Sequence, residues 1–235
     1  MTIGGVLAER VGRIALDLFF PARCVGCGAG GSFVCPACAA ALPSAAPPRC
    51  PRCWRPGVDR VCEACRLDPP PFDGLFAAYV YNGLSRELVH HLKYRETAAL
   101  ATPMASLLAQ ALAGRAPPAG VIVPVPLSGV RRRTRGYNQS EALARALGRE
   151  LGLPVAPRTL SRRRHTPPQA RSAGAEERRR NVEGAFAARA AEAAGRRVLL
   201  LDDVTTTGAT LRACAGALRE AGASSVWAVA FARED

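Results

Sequence analysis

From residue 75 the chain alternates short apolar runs with stretches of helical period. Leu75 to Tyr81 is rich in β-branched and aromatic residues and predicts a strand, closed by the turn dipeptide Asn82-Gly83. Leu84, Leu88 and Leu92 then share one helical face, with His90, His91 and Lys93 pointing elsewhere. Adjacent helical residues do not face each other, so the histidine pair is expected to be solvated and not to bind metal. "VIVPVPL" from Val121 predicts a buried strand. "NQSEALARALGRELG" predicts a helix with Leu143, Ala144, Leu147 and Leu151 inward, ended by Gly152. "LPVAPRTL" predicts a further strand. "RRVLLLDD" is the most apolar one, "TLRACAGALREAG" a helix ending at Gly222, and "SSVWAVAFARED" a closing strand. This alternation predicts an α/β fold, a parallel sheet flanked by helices, with ligands bound beyond the carboxyl ends of the strands.

The N-terminal part reads differently. Val6, Leu7, Val11, Ile14, Leu18 and Phe19 recur at helical spacing and predict an amphipathic helix over 1–22 that docks on the rest of the chain. Glu9, Arg10, Arg13 and Asp17 interrupt it, so it has no apolar core of export-signal type. No uninterrupted apolar run reaches the roughly 18 residues of a membrane span. The expected location is cytoplasmic, without a membrane span.

Eight of the nine cysteines fall in four Cys-x-x-Cys pairs: Cys24/Cys27, Cys35/Cys38, Cys50/Cys53 and Cys62/Cys65. In a reducing compartment such pairs favour metal over disulfides. Each pair presents two thiolates from a tight turn, and two pairs complete a tetrahedral Zn²⁺ site. The spacing predicts two structural zinc ions in a module over 23–68. Sequential and interleaved pairing both fit. An all-cysteine ligand set leaves no open position for water, which argues against catalytic zinc. A redox role for the pairs is the other reading. Cys214, alone on a predicted helix, reads as a small core residue. The proline-rich "LDPPPFDG" ends the module, and the larger domain is expected over 69–235.

The formal charge is +13, and Lys93 is the only lysine. Residues 131–180 hold fourteen Arg against four Glu, which is most of that excess. A cationic face of this density attracts phosphate, whether of a small ligand or of a nucleic-acid backbone.

The chemistry concentrates in "LLLDDVTTTGATL", residues 199–211. An apolar strand ends in Asp202 and Asp203, and the loop Thr205 to Thr210 leads into a helix. Unpaired N–H groups and the positive end of the helix dipole make an anion site there. Thr205, Thr206, Thr207 and Thr210 add hydroxyls, and Gly208 lets backbone approach a phosphate. The carboxylates would repel that anion and suit vicinal sugar hydroxyls, directly or through Mg²⁺. A ligand with a phosphate on one side and a ribose diol on the other satisfies both halves. The loop has neither the lysine of a nucleotide P-loop nor a GxGxxG pattern.

"VLLLDDVTTTGAT" closely resembles the phosphoribosyl-diphosphate signature of type I phosphoribosyltransferases. Together with "LFFPARCVGCG", "HLKYRE", "VPVPLSGVRRRTRGYNQSEALA" and "RRRHTPPQARSAGAEERRRNVEGAF", it resembles the ComF family. Those competence-associated proteins place a double zinc ribbon before a type I phosphoribosyltransferase-like domain. One departure is Ala209, where many active transferases carry a second glycine. The resemblance implies that Asp202 and Asp203 hold the ribose hydroxyls and that 205–210 cradles the 5'-phosphate. It sets Arg131, Arg133 and Arg135 beside the diphosphate, and implies a lid over "SRRRHTPPQARSAGAEERRRN" that includes Arg171. In a transferase, arginines and Mg²⁺ would stabilise departing diphosphate and the carboxylates an oxocarbenium-like ribose.

No residue marks the acceptor. The resemblance implies two functional classes: a phosphoribosyltransferase on an unidentified acceptor, and a protein of natural transformation that handles single-stranded DNA beside a helicase-like translocase. A non-catalytic sensor of phosphoribosyl diphosphate is the third reading. Arg132, Tyr137, Arg162, Arg163 and Arg164 are the candidates for contact with DNA, and Trp54 is either a stacking platform or packing on its metal knuckle.

Overall fold

The computed structural model of the chain describes residues 22–94, 98–163 and 184–235. The expected N-terminal helix falls almost wholly outside them, as do Arg164 and Arg171 of the expected lid. Backbone contacts divide the chain into two compact units, 1–42 and 43–235.

The first unit carries the knuckle at Cys24–Cys27 and the short helix α1 (Pro36–Ala40). The second unit opens with the equivalent parts. A knuckle at Cys50–Cys53 is followed by α2 (Glu63–Leu67), which like α1 begins directly after its third cysteine.

The larger unit is built on four parallel strands in the order β1 (Gly74–Val80), β6 (Ser225–Arg233), β5 (Arg197–Thr205), β2 (Val121–Pro124). β5 and β6 lie centrally, and Val198 to Asp203 is buried without interruption. That is why β5 reads as a continuous apolar run and not as an alternating one. Strand alternation sends Leu75, Ala77, Val123, Val198, Leu200, Val226 and Ala228 to one face. There they meet Leu211, Cys214, Ala215 and Leu218 of α8 (Ala209–Glu220). On the other side α3 (Gly83–Tyr94) buries Leu88, Val89 and Leu92. α4 (Ala101–Leu112) and α6 (Gln139–Leu151) pack on each other, and α6 packs on β2 and β5. Asn138 caps α6 by accepting from the Ser140 amide, and Gly152 ends it in the left-handed region at φ 65°.

"LPVAPRTL" is not a strand of this sheet. It touches β2 at one bridge, Ile122 with Val155, and only Leu160–Arg162 forms β3. β3 pairs antiparallel with β4 (Phe186–Ala188), apart from the main sheet. Pro154 and Pro157 explain the interruption, because neither offers an N–H to a ladder. The remaining helices are α5 (Gly129–Arg135) and α7 (Ala190–Ala193). No helix among the described residues is long and apolar enough to cross a membrane.

Candidate functional site

The site sits at the carboxyl edge of β5. Asp202 and Asp203 are both buried, at 9% and 3% exposure, and the chain then turns through Thr206 and Thr207 into α8. Gly208 caps α8 with φ 77°, in the left-handed region. A Cβ there would have room, its nearest neighbour being Thr205 Oγ1 at 3.9 Å, so the turn needs glycine for its backbone angle. Ala209 opens the helix, with its amide donating to Thr207 Oγ1 at 3.4 Å. The first N–H groups of α8 have no acceptor within the helix, so the loop presents donors and the positive end of the dipole together. Thr205 Oγ1 is buried and makes no hydrogen bond.

Each carboxylate has a distinct setting. Asp202 Oδ1 accepts from Ser140 Oγ at 2.9 Å and from the Asp203 amide at 2.9 Å. Burial first, and then the neighbouring Asp203 charge, push its carboxyl up to about 8. Asp203 Oδ2 pairs with Lys93 Nζ at 2.8 Å. Burial opposes its ionisation too, but the charge and hydrogen bond of Lys93, with hydrogen bonds from Asp202 and the Val204 amide, together hold it below the usual carboxylate range. The pair thus keeps one carboxylate and one protonated acid against one ammonium.

Lys93 is the site residue that helical periodicity did not single out. Its one visible signal was its rarity, as the only lysine among 32 basic side chains. It reaches the site because Tyr137 and Arg135 fix the end of α3. The Tyr137 hydroxyl donates to the Leu92 carbonyl, Arg135 donates to Tyr94 Oη at 3.0 Å, and its guanidinium lies 4.7 Å over that ring. Of the residues expected beside diphosphate or DNA, Arg135 and Tyr137 therefore make these internal contacts. Arg133 and Arg163 are exposed, and Arg162 lies 5.2 Å over the Phe186 ring of the β3–β4 hairpin. For Arg131 and Arg132 the structure gives the helical backbone of α5. His90 is exposed and its ring lies tilted against Tyr94, 4.9 Å away; neither it nor His91 joins a metal-ligating group among the described residues.

The cysteines gather sequentially, Cys24, Cys27, Cys35 and Cys38 in one group and Cys50, Cys53, Cys62 and Cys65 in the other. In each group all four Sγ atoms lie within 4.8 Å of one another. The Cys27–Cys35 and Cys53–Cys62 separations are 3.7 Å, close to the edge of about 3.8 Å that a tetrahedron of Zn–S bonds requires. The Cys35 amide points at Cys24 Sγ (3.4 Å), and the Cys62 amide at Cys50 Sγ (3.3 Å). Burial works against ionisation at Cys24, but the amides of Cys35, Cys27 and Gly26 overcome it and bring the thiol to about 6. Cys50 reaches about 7 in the same way. These residues fit two structural zinc ions. Buried Cys214 is pushed the other way, well above the usual thiol range.

The two knuckles differ at one position. Gly28 follows the first at φ 76°, whereas Trp54 follows the second at φ 60°. A bulky residue is strained there. The indole packs 4.9 Å from Phe76 and against the core of the larger unit, so Trp54 is packing and not an open platform.

A sheet of this order, with an acidic strand end feeding a left-handed glycine and a helix, defines a phosphoribosyltransferase-type fold. Residues 98–234 match the phosphoribosyl transferase domain family and residues 15–66 the double zinc ribbon domain family. The chain belongs to the ComF family, which joins these two parts. The DNA utilization protein YhgH of Salmonella typhimurium is 33% identical over 184 residues, covering 75% of this chain and 80% of that protein. Competence protein ComFC of Bacillus subtilis is 31% identical over 197 residues, covering 80% and 79% respectively. Competence protein F of Haemophilus influenzae is 37% identical over 115 residues, covering 47% and 50%.

Proposed function

We propose that this protein binds phosphoribosyl diphosphate with Mg²⁺ at the edge of β5 and acts in DNA uptake by handling single-stranded DNA. One observation carries the ligand reading. A buried aspartate pair stands directly before a left-handed glycine turn at the N-terminus of a twelve-residue helix. The 5'-phosphate lies on the amides and hydroxyls of Thr206 to Thr210, where donors and dipole favour negative charge. The ribose diol faces Asp202 and Asp203, whose hard oxygens also suit Mg²⁺. Bound Mg²⁺ supplies neutralisation of the diphosphate. Ser140 holds the Asp202 carboxyl in place, and the sheet beneath excludes water from both acids.

The role in DNA uptake is supported by the relatives' names, competence proteins and a DNA utilization protein. Arg133 and Arg163 remain open to solvent and suit phosphate contacts that position a strand without reading its sequence. A partner translocase would engage the protein while it holds the strand. The match to the phosphoribosyl transferase domain favours a second reading, transfer of phosphoribose to an acceptor. Diphosphate release from phosphoribosyl diphosphate in the presence of candidate acceptors decides it.

The test is calorimetric titration of the zinc-loaded chain with phosphoribosyl diphosphate, with and without Mg²⁺. Saturable binding is expected only with Mg²⁺, and Asp202→Asn combined with Asp203→Asn should abolish it while the circular dichroism spectrum persists. Undiminished binding by the double variant would sink the assignment.

A further inference from the structure

Lys93 occupies the position where a divalent cation would serve the same charges. Its side chain is only 20% exposed, and its ammonium lies 2.8 Å from Asp203 Oδ2. Burying a long cationic side chain costs rotamer freedom and desolvation, so its placement needs a compensating partner. Arginine is used at every other basic position of the chain. A guanidinium is a planar fork that grips carboxylates in two bonds, whereas an ammonium is a compact charge on a flexible stem that can leave one oxygen for another. The backbone just before it is held by the Tyr137 hydroxyl, which donates to the Leu92 carbonyl. Only the four-carbon stem is then free to move.

We infer that Lys93 is the resident counter-ion of the ligand-free aspartate pair, and that it passes to an anionic oxygen of the incoming ligand when Mg²⁺ takes its place on the carboxylates. This rests on the reading of the site as one for Mg²⁺ and phosphoribosyl diphosphate. Two consequences separate it from a merely structural ion pair. With Lys93 in place the Asp203 carboxylate is already paired at 2.8 Å, so Mg²⁺ alone must displace a bound ammonium and gains little. Without Lys93 the carboxylates are open to Mg²⁺ alone, while the ligand loses a charged donor.

The experiment melts the zinc-loaded full chain with and without MgCl₂ and no other ligand, then titrates phosphoribosyl diphosphate in MgCl₂. Wild type should show no shift with MgCl₂ alone, and Lys93→Gln should gain about 2–4 °C. Its affinity for phosphoribosyl diphosphate should fall about tenfold, the scale of one lost charge-assisted hydrogen bond. Lys93→Arg keeps the charge without a buried vacancy. It should fold, stay insensitive to MgCl₂ alone, and bind the ligand less well because the fork releases Asp203 reluctantly. Equal MgCl₂ shifts in wild type and Lys93→Gln overturn the counter-ion role, as does a shift in Lys93→Arg. Full ligand affinity in both variants overturns the transfer. If wild type itself takes no phosphoribosyl diphosphate, the functional reading fails separately, and the melts with MgCl₂ alone still decide the counter-ion role.

Discussion

Asp202 is under two opposing demands at the scale of a single side chain. Burial and the Asp203 charge keep it protonated up to about 8, while the proposed hydroxyl or Mg²⁺ ligation would call for the ionised form. The sign of the pH dependence follows. Between the ordinary value of 3.8 and about 8, the folded state holds a proton that the unfolded chain has released. Stability from this group is therefore fully present below the lower value and is lost as pH rises through the window. Asp203 acts oppositely, its contribution being present above 3.8 and lost as pH falls through its depressed folded value. Ligand binding at pH 7 should accordingly expel about one proton from Asp202. Calorimetry in two buffers of different ionisation enthalpy measures it, and Asp202→Asn should remove the buffer dependence. Identical heats in both buffers for wild type would contradict the assignment of that proton.

At the scale of elements, local preference and packing disagree at Gly148. It lies within α6, where alanine is intrinsically better by about 1 kcal/mol. A Cβ at this position would stand 2.7 Å from Val155 Cγ2 and 2.8 Å from the Leu153 carbonyl oxygen. That segment is backbone held to β2 through the Ile122 bridge and cannot retreat. Gly148→Ala should therefore destabilise by about 1–2 kcal/mol net, read as a fall of about 2–8 °C in the melting midpoint. A rise would show that the 153–156 segment yields. The proline-rich linker shows the same dominance of packing over local composition. "LDPPPFDG" reads as a break, yet Arg212 binds Asp68 at 2.7 Å and Arg219 binds Asp73 at 2.7 Å, so α8 holds both ends of it.

For the whole molecule, the decisive feature is where the second cysteine group belongs. It falls within 43–235 and is joined to the end of β6 and the residues beyond it. Arg49 makes two bonds to Asp235, at 2.8 and 2.7 Å, with only 5% of its side chain exposed. Arg233 donates to the Cys53 carbonyl at 2.8 Å. The Arg49 guanidinium holds the Asp235 carboxyl below its usual range, so this clasp is present above about 4 and weakens as pH falls below it. A chain beginning at Pro43 should fold and hold one equivalent of zinc by elemental analysis, against two for the full chain. Strong chelation should lower the melting midpoint of that shortened chain, because the metal organises the surroundings of the clasp. An unchanged midpoint after zinc removal would show that the clasp stands without metal.

Much of this was legible along the chain. Strand and helix types follow from periodicity, and the acidic strand end, threonine turn and glycine are contiguous, so the strand–turn–helix geometry of 199–211 was legible locally. The four Cys-x-x-Cys pairs disclose zinc for the same reason, since each knuckle is made within four residues. The pairing of knuckles, the division of the chain at 42/43, and the use of Tyr137 and Arg135 to fix α3 were decided only by the tertiary structure. Lys93 is the clearest case. Its helix face is set locally, but its partner comes from a strand far along the chain, and no periodicity records that meeting. Local physics writes itself into sequence as spacing. A contact between distant segments leaves only a residue type, here one lysine in an arginine-rich protein, and folding gives it meaning.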